Sequence, residues 1–218
     1  MGRYAKLWLP ALLLAAVLIP ASCGGAGTGG NEEGGSDEKT AGGMAGMDHD
    51  QMGHGGMASE MLMENGRYSD ERFIDAMVPH HQGAIAMARV ALKNAEHEEI
   101  SELSRNIVST QQAEIEELKA IKKEEFGTSN VPMEMSPEQM RGMGMMMDPQ
   151  QLAHEEPFDR AFIDAMIPHH QSAIEMAKVA HQESDNPRIK ELAQNIMSAQ
   201  QEEIEQMKRW RQQWYPEG

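Results

Sequence analysis

Two pairs of adjacent histidines are the residues of this chain best suited to chemistry. They are His80-His81 and His169-His170, and each follows a proline in the motif Phe-Ile-Asp-Ala-Met-(Val/Ile)-Pro-His-His-Gln, which begins at Phe73 and again 89 positions later at Phe162. Imidazole nitrogen binds several transition metals, and thioether sulfur prefers soft ions such as Cu(I). Because 20 of the 218 residues are methionine, this combination indicates a metal site with soft donors.

The repeat around the histidines is longer than the motif itself. Of the 19 positions from Phe73 to Ala91, 15 are identical in the segment from Phe162 to Ala180. The period is far too long for a solenoid. The sequence therefore predicts two copies of one structural unit, each with a histidine pair and flanking methionines.

Both copies have the apolar spacing of helices. Apolar residues recur at intervals of three and four, and no stretch has the period of two that is typical of strands. Ser69 and Asn186-Pro187 are typical helix starts, and Gly127 is a typical helix stop. The predicted helices are Ser69–Asn94, His97–Glu125, Pro157–Glu183 and Pro187–Trp214. Two helical hairpins bury their apolar faces most simply against each other, so we predict an all-α four-helix bundle with pseudo-twofold symmetry.

The imidazoles are predicted to face the interior of this bundle, since they share a helix face with apolar residues at about 100° per residue. The candidate ligands on the first and third helices are His80, His81, Met77, Met87, His169, His170, Met166 and Met176. Glu114 and Glu203 lie on the apolar faces of the other two helices, where a carboxylate is costly unless it is paired or bound to metal. Four further residues are assigned to orienting the ligands or capping the helices: Asp75, Asp164, Gln111 and Gln200.

Three alternatives stay open at this point. A histidine or methionine on an apolar face is most often an ordinary core residue, and one gene duplication would repeat it without any function. The histidines and glutamines could instead form a hydrogen-bond network in a bundle whose surface meets a protein partner. A ferritin-like dinuclear iron or manganese centre would make the protein a redox enzyme. Two carboxylates against four imidazoles suit such hard ions poorly, and the Glu-x-x-His motif is absent.

The first residues have the pattern of an export signal. Arg3 and Lys6 precede an apolar run that is shorter than the roughly 20 residues of a membrane-spanning helix. Small residues then precede Cys23, the only cysteine, as in a bacterial lipobox. We predict that residues 1–22 are a lipoprotein-type signal peptide and that Cys23 is lipidated, which anchors the chain to the cell membrane, facing the periplasm or the cell surface. The alternative is an ordinary signal with an incidental cysteine.

Composition divides the remaining chain. Residues 23–66 are Gly-rich and predicted to be a flexible, disordered tether. The first hairpin follows at 67–126, a Met-rich crossover linker at 127–155 and the second hairpin at 156–218, the hairpins forming one domain. Removing residues 1–22 moves the formal charge from −16 to −18, since Arg3 and Lys6 are lost. Such an acidic chain repels phosphates, so nucleic acid is excluded as a partner.

The tether carries soft donors in a segment that has no core to fill. These are Met44, Met47, His49, Met52, His54 and Met57. Thioethers favour Cu(I) and Ag(I), whereas zinc would require cysteine or denser histidine. The crossover linker repeats the theme with Met133, Met135, Met140, Met143, Met145, Met146 and Met147. A Met-rich hydrophobic contact surface is the competing interpretation of these runs.

The run from Phe162 to Ala177 resembles the signature of domain-of-unknown-function family 305, exported bacterial proteins with a ferritin-like helical fold. The resemblance covers about residues 68–210 and is present in both halves. It implies that the motif residues matter to the family, some members of which are associated with copper binding and tolerance. By position these are Asp75, Met77, His80, His81 and Met87, with Asp164, Met166, His169, His170 and Met176.

Together these patterns predict an exported, lipid-anchored protein that binds Cu(I), and Ag(I) in its place. The tail would capture ions, the bundle would hold them more tightly, and a copper transporter or chaperone would receive them. This function requires no catalysis.

Overall fold

The computed structural model describes residues 58–145 and 147–217. In chain order the elements are β1 (Met63–Glu64), β2 (Arg67–Tyr68), α1 (Asp70–Asn94), α2 (Glu98–Phe126), α3 (Pro137–Gly142), α4 (Pro149–Leu152), α5 (Phe158–Glu183) and α6 (Pro187–Trp214). The four long helices agree with the predicted spans to within one residue at each end. Within this described part of the chain, no helix is long and apolar enough to cross a membrane.

The predicted helix ends are built by local hydrogen bonds. The Ser69 hydroxyl accepts a hydrogen bond from the backbone of Arg72, and the Asn186 side chain accepts one from the backbone of Arg188. These bonds satisfy amides that the first turn leaves free. Gly127 ends α2 in the left-handed conformation, with φ of 74°, which glycine adopts without strain.

The four long helices pack as two hairpins. Helix α1 packs along α2, and α5 along α6, while α1 also contacts α5 and α2 contacts α6. The predicted all-α, ferritin-like bundle of two duplicated hairpins is therefore confirmed. The first helices of the two hairpins, α1 and α5, carry the histidine pairs and contact each other directly.

The interior of the bundle is divided along its length. One apolar cluster contains Phe73, Leu118, Ala177 and Ile196, and the other contains Phe162, Ile107, Ala88 and Ile204. On every long helix the two clusters are separated by buried or nearly buried polar residues. We call these the polar layer: His80, His81, Gln111, Glu114, His169, His170, Ser172, Gln200 and Glu203.

The structure describes order in two segments outside the long helices. The end of the predicted tether is folded, because Ala58 and Leu62 are fully buried and β1 pairs antiparallel with β2, although no strand was predicted. The crossover linker contains α3 and α4 and buries Met143 and Leu152 completely. Tertiary contacts rather than local periodicity order both segments. Residues 23–57 of the predicted tether, and the predicted signal peptide before them, lie outside the described residues.

Candidate metal centre

The four imidazoles lie in the middle of α1 and α5, and all of them are fully buried. Both helices continue through a proline, Pro79 or Pro168, just before the histidine pair. The rings of His80 and His169 are in contact across the bundle, with centroids 3.9 Å apart and planes at 43°. Within each pair the centroids are farther apart, 6.3 Å in α1 and 6.2 Å in α5. The two halves of the repeat therefore form one polar layer rather than two remote sites.

A carboxylate from the neighbouring helix contacts the second histidine of each pair. His170 Nε2 lies 2.6 Å from Glu203 Oε2, and His81 Nε2 lies 2.8 Å from Glu114 Oε2. The first contact is a hydrogen bond. The second is of similar length but does not have the geometry of a hydrogen bond. An ionised carboxylate can only accept, so His170 Nε2 carries the proton and its Nδ1 keeps a lone pair.

Ser172 likewise determines which ring nitrogen of His80 carries the proton. Its hydroxyl oxygen lies 2.7 Å from the Met143 carbonyl and 2.8 Å from the His169 carbonyl, and both contacts require the hydroxyl proton. The same oxygen lies 2.9 Å from His80 Nε2 and is left to accept. His80 Nε2 therefore donates to Ser172, and its Nδ1 also keeps a lone pair.

These contacts leave buried ring nitrogens without a partner. Among the described residues, no hydrogen bond reaches Nδ1 of His80 or His170, or either ring nitrogen of His81 or His169. An unsatisfied buried acceptor costs about 1–3 kcal/mol. Histidines that bind metal typically donate their other ring N–H to a carboxylate or similar acceptor, which is the arrangement seen here. The donor set thus fits a metal ion that would satisfy the free lone pairs.

Burial keeps the central histidines neutral. It lowers the pKa of both His80 and His169 well below the usual value, and the neighbouring histidines lower these pKa values further by repulsion. A neutral imidazole has the lone pair that coordination requires. The two rings in contact are therefore available as ligands at neutral pH.

The donors of the layer are few, and the imidazoles are arranged as two pairs. Across residues 58–145 and 147–217, no three His, Cys, Asp or Glu side chains are grouped so that they could hold one ion. Structural zinc sites use four such ligands, and iron or manganese favours oxygen donors. Each histidine pair offers two nitrogens, which suits a monovalent soft ion.

Asp75 and Asp164, predicted to orient the ligands or cap the helices, lie outside this layer and contact basic residues. Asp75 pairs with Lys122, and Asp164 pairs with Arg211 at 2.7 Å. Each aspartate lies on the outer side of its helix, where it ties the two helices of one hairpin together.

The other predicted residues have mixed placements. Met77, Met87, Met166 and Met176 are all buried, but they belong to the two apolar clusters on either side of the layer. Gln111 and Gln200 lie in the layer, each 2% exposed, and their side-chain oxygens have no hydrogen-bond partner among the described residues. The candidate residues of the tail and Cys23 lie outside the described residues: Met44, Met47, His49, Met52, His54 and Met57.

Sequence reasoning missed several residues that shape the site. Ser172 occupies the position that Gly83 has in the first half, one of only four differences among the 19 compared positions. Lys122 and Arg211 are also related by the 89-residue offset, which would have identified the partners of the two aspartates. Met145 was named as a soft donor of the crossover, but its position was not predicted: a Cβ built on Gly83 would lie 2.9 Å from its sulfur and 3.2 Å from His169 Nε2.

Comparisons with known proteins agree with the fold. The family model "Domain of unknown function (DUF305)" matches residues 25–122 and 70–211. The structure "CopM in the Cu(II)-bound form" has a TM-score of 0.64 and 44% identity, over 68% of this chain and 99% of that one. "CopM in the Cu(I)-bound form" has a TM-score of 0.60 and 39% identity over the same shares.

Two more distant similarities complete the comparison. A DUF305 fragment from Deinococcus radiodurans has a TM-score of 0.58 and 26% identity, over 64% of this chain and 92% of that one. The uncharacterized protein L153 of Acanthamoeba polyphaga mimivirus is 45% identical over 49 residues, which are 22% of this chain and 32% of the viral protein.

Proposed function

Because the chain belongs to the DUF305 family, whose solved relatives include copper-bound CopM, we propose that it binds Cu(I), with Ag(I) as a substitute, in its buried polar layer. The structures named CopM include Cu(I)-bound, Cu(II)-bound and Ag-bound forms, and they share 39–44% of their residues with this chain. The proposed role is copper buffering, tolerance or transfer, and it involves no catalysis.

The observation that carries this proposal is the set of free, buried Nδ1 atoms in the layer. Nε2 of His80 and of His170 is hydrogen-bonded to Ser172 and to Glu203, and Nε2 of His81 lies 2.8 Å from Glu114. The remaining lone pairs point to a cation, since buried acceptors without partners are unfavourable. The rings within each pair are 6.2–6.3 Å apart, so one ion with metal–nitrogen bonds of about 2.0–2.1 Å has room between them. The 3.9 Å contact between His80 and His169 leaves no such room.

A dinuclear iron or manganese redox enzyme is less well supported. Such a centre needs several free carboxylate oxygens. Glu114 and Glu203 instead each contact a histidine, and the central donors are neutral nitrogen atoms. A bundle whose layer serves only as a hydrogen-bond network would leave the Nδ1 atoms unsatisfied, which disfavours that alternative too.

The location of this activity rests on the sequence. A lipid on Cys23 would hold the bundle at the membrane, outside the cytoplasm, and the Met/His tail would exchange ions rapidly among weak ligands before passing them to the layer. A copper transporter or chaperone would receive the metal. Retention of the chain in the membrane fraction by wild type, and its release in Cys23→Ala, is the expected result.

The binding claim is tested by Cu(I) titration under reducing conditions against a chromogenic Cu(I) chelator. We expect the double variant His81→Asn/His170→Asn to bind Cu(I) at least about tenfold more weakly than wild type. His154→Asn is the matched control, because this histidine is exposed in the crossover. Replacing the methionines of residues 44–57 with leucine should lower the number of weakly bound ions and leave the tight sites intact. No Cu(I) uptake by the full chain would end the proposal.

A further inference from the structure

The two halves of the polar layer differ at one position next to the histidines. In the second half the Ser172 hydroxyl oxygen accepts a hydrogen bond from His80 Nε2. Its counterpart in the first half is Gly83, which has no side chain to offer to His169. Neither nitrogen of His169 has a hydrogen-bond partner among the described residues, although the ring is fully buried.

A thioether occupies the space that a side chain at position 83 would need. A Cβ atom built on Gly83 would lie 2.9 Å from Met145 Sδ and 3.2 Å from His169 Nε2. The sulfur of the crossover and the nitrogen of α5 thus lie beside the same point of α1. Glycine leaves room for both donor atoms beside α1, and a serine side chain at position 83 would crowd them.

The same gap opens into a cavity between α1 and the crossover. This cavity of about 500 Å³ is lined by four methionines, Met87, Met140, Met145 and Met147, along with Gly83 itself. The other lining residues include Arg141 and Asp148 but no histidine or cysteine. A chamber with thioethers as its soft donors discriminates strongly between metals, since hard and borderline ions bind thioether poorly.

We infer that this methionine cavity is a second binding site for monovalent soft ions, in which Met145 Sδ and His169 Nε2 are the ligands nearest the core. The inference rests on the proposed function, because it supplies the buried histidines with metal from outside. An ion held by Met87, Met140 or Met147 would reach His169 by exchanging one thioether for one imidazole at Gly83. No proton or electron moves in this step. His80 has no equivalent route, because its Nε2 is hydrogen-bonded to Ser172.

The test follows each methionine separately in the full-length chain. The protein is labelled with [methyl-13C]methionine and 15N-histidine and titrated with Ag(I), which needs no reductant. Met145→Leu assigns the Met145 methyl signal and removes the sulfur while keeping an apolar side chain. Met133→Leu is the matched control, because Met133 is a crossover methionine that is 52% exposed and does not line the cavity.

We expect the Met145 methyl and the His169 ring signals to shift together in wild type and in Met133→Leu. In Gly83→Ser the Ag(I) concentration for half of the Met145 shift should rise at least about tenfold, since the new hydroxyl competes for His169 Nε2. In Met145→Leu the His169 response should weaken by a similar factor, which provides a second measure if Gly83→Ser folds poorly.

Three results would overturn the inference. If histidine signals respond to Ag(I) while the Met145 methyl does not move, the cavity site is wrong and the proposed function stands. A response of Met145 that is unchanged in Gly83→Ser would remove the role given to Gly83. If no histidine or methionine signal responds, both the cavity site and the proposed function fail.

Discussion

The two hairpins are nearly the same in sequence around their histidines, yet their histidines have different surroundings. In both halves the second histidine contacts a glutamate, at 2.8 Å for His81 and 2.6 Å for His170. The first histidines differ, because His80 is hydrogen-bonded to Ser172, while His169 Nε2 and Met145 Sδ both lie near the vacant side-chain position of Gly83. A duplication repeats the ligands, and the Gly/Ser difference contributes to their different partners.

The crossover explains why the halves cannot be equivalent. A chain of two hairpins has only one crossover, and here it lies over the polar layer. The Met143 carbonyl accepts a hydrogen bond from Ser172, and the backbone of Gly144 lies against Pro168 and His169. The asymmetry therefore comes from connectivity as well as from sequence.

The largest expected effect comes from adding a methyl group where the crossover touches α5. Gly144 has φ of 67°, and a Cβ on it would lie 2.6 Å from the Pro168 carbonyl oxygen. We expect Gly144→Ala to lower the free energy of unfolding by about 3 kcal/mol, from strain plus overlap with backbone. Chemical denaturation measures this loss. Gly127→Ala is the control, since Gly127 has φ of 74° but no atom within 4 Å of a Cβ, and it should lose about 1–2 kcal/mol. Equal losses would mean that the crossover does not press on α5.

Glu114 and Glu203 occupy equivalent positions of the repeat, so variants of the two test whether the halves are equivalent there. Glu114→Ala and Glu203→Ala should each weaken Cu(I) binding about 10–100-fold, because each removes the acceptor that orients a histidine. Competition with a Cu(I) chelator measures the change. Glu116→Ala, on the exposed side of α2, is the control and should bind as wild type does. If only one of the two variants binds Cu(I) more weakly, the two histidine pairs are not equivalent ligand sets.

A smaller difference is expected at the two aspartates. Lys122 is nearly buried and Asp75 is 25% exposed, whereas Asp164 is 47% exposed beside Arg211. Losing a partner costs a buried charge more than an exposed one. Asp75→Asn should therefore cost about 2 kcal/mol, and Asp164→Asn about 0–1 kcal/mol. Thermal or urea unfolding of the two variants gives the comparison directly, and the reverse order would contradict it.

Helix periodicity and the repeat predicted the scaffold because they depend on local pattern. The cap residues Ser69, Gly127 and Asn186 predicted where helices begin and end. The helix face of the histidines predicted that they point into the bundle. Pattern could not place Met145 beside His169, since that contact depends on the path of the crossover. Pattern also did not identify the basic residues on the neighbouring helices that Asp75 and Asp164 contact.

The central claim is that the buried polar layer holds a soft monovalent ion between adjacent histidines. Anomalous scattering from crystals of the full chain grown with Ag(I) tests it most directly. The predicted result is a silver peak bonded to ring nitrogens of His80 and His81 or of His169 and His170. Silver confined to the surface or the tail, with all four imidazoles free of metal, would contradict the account.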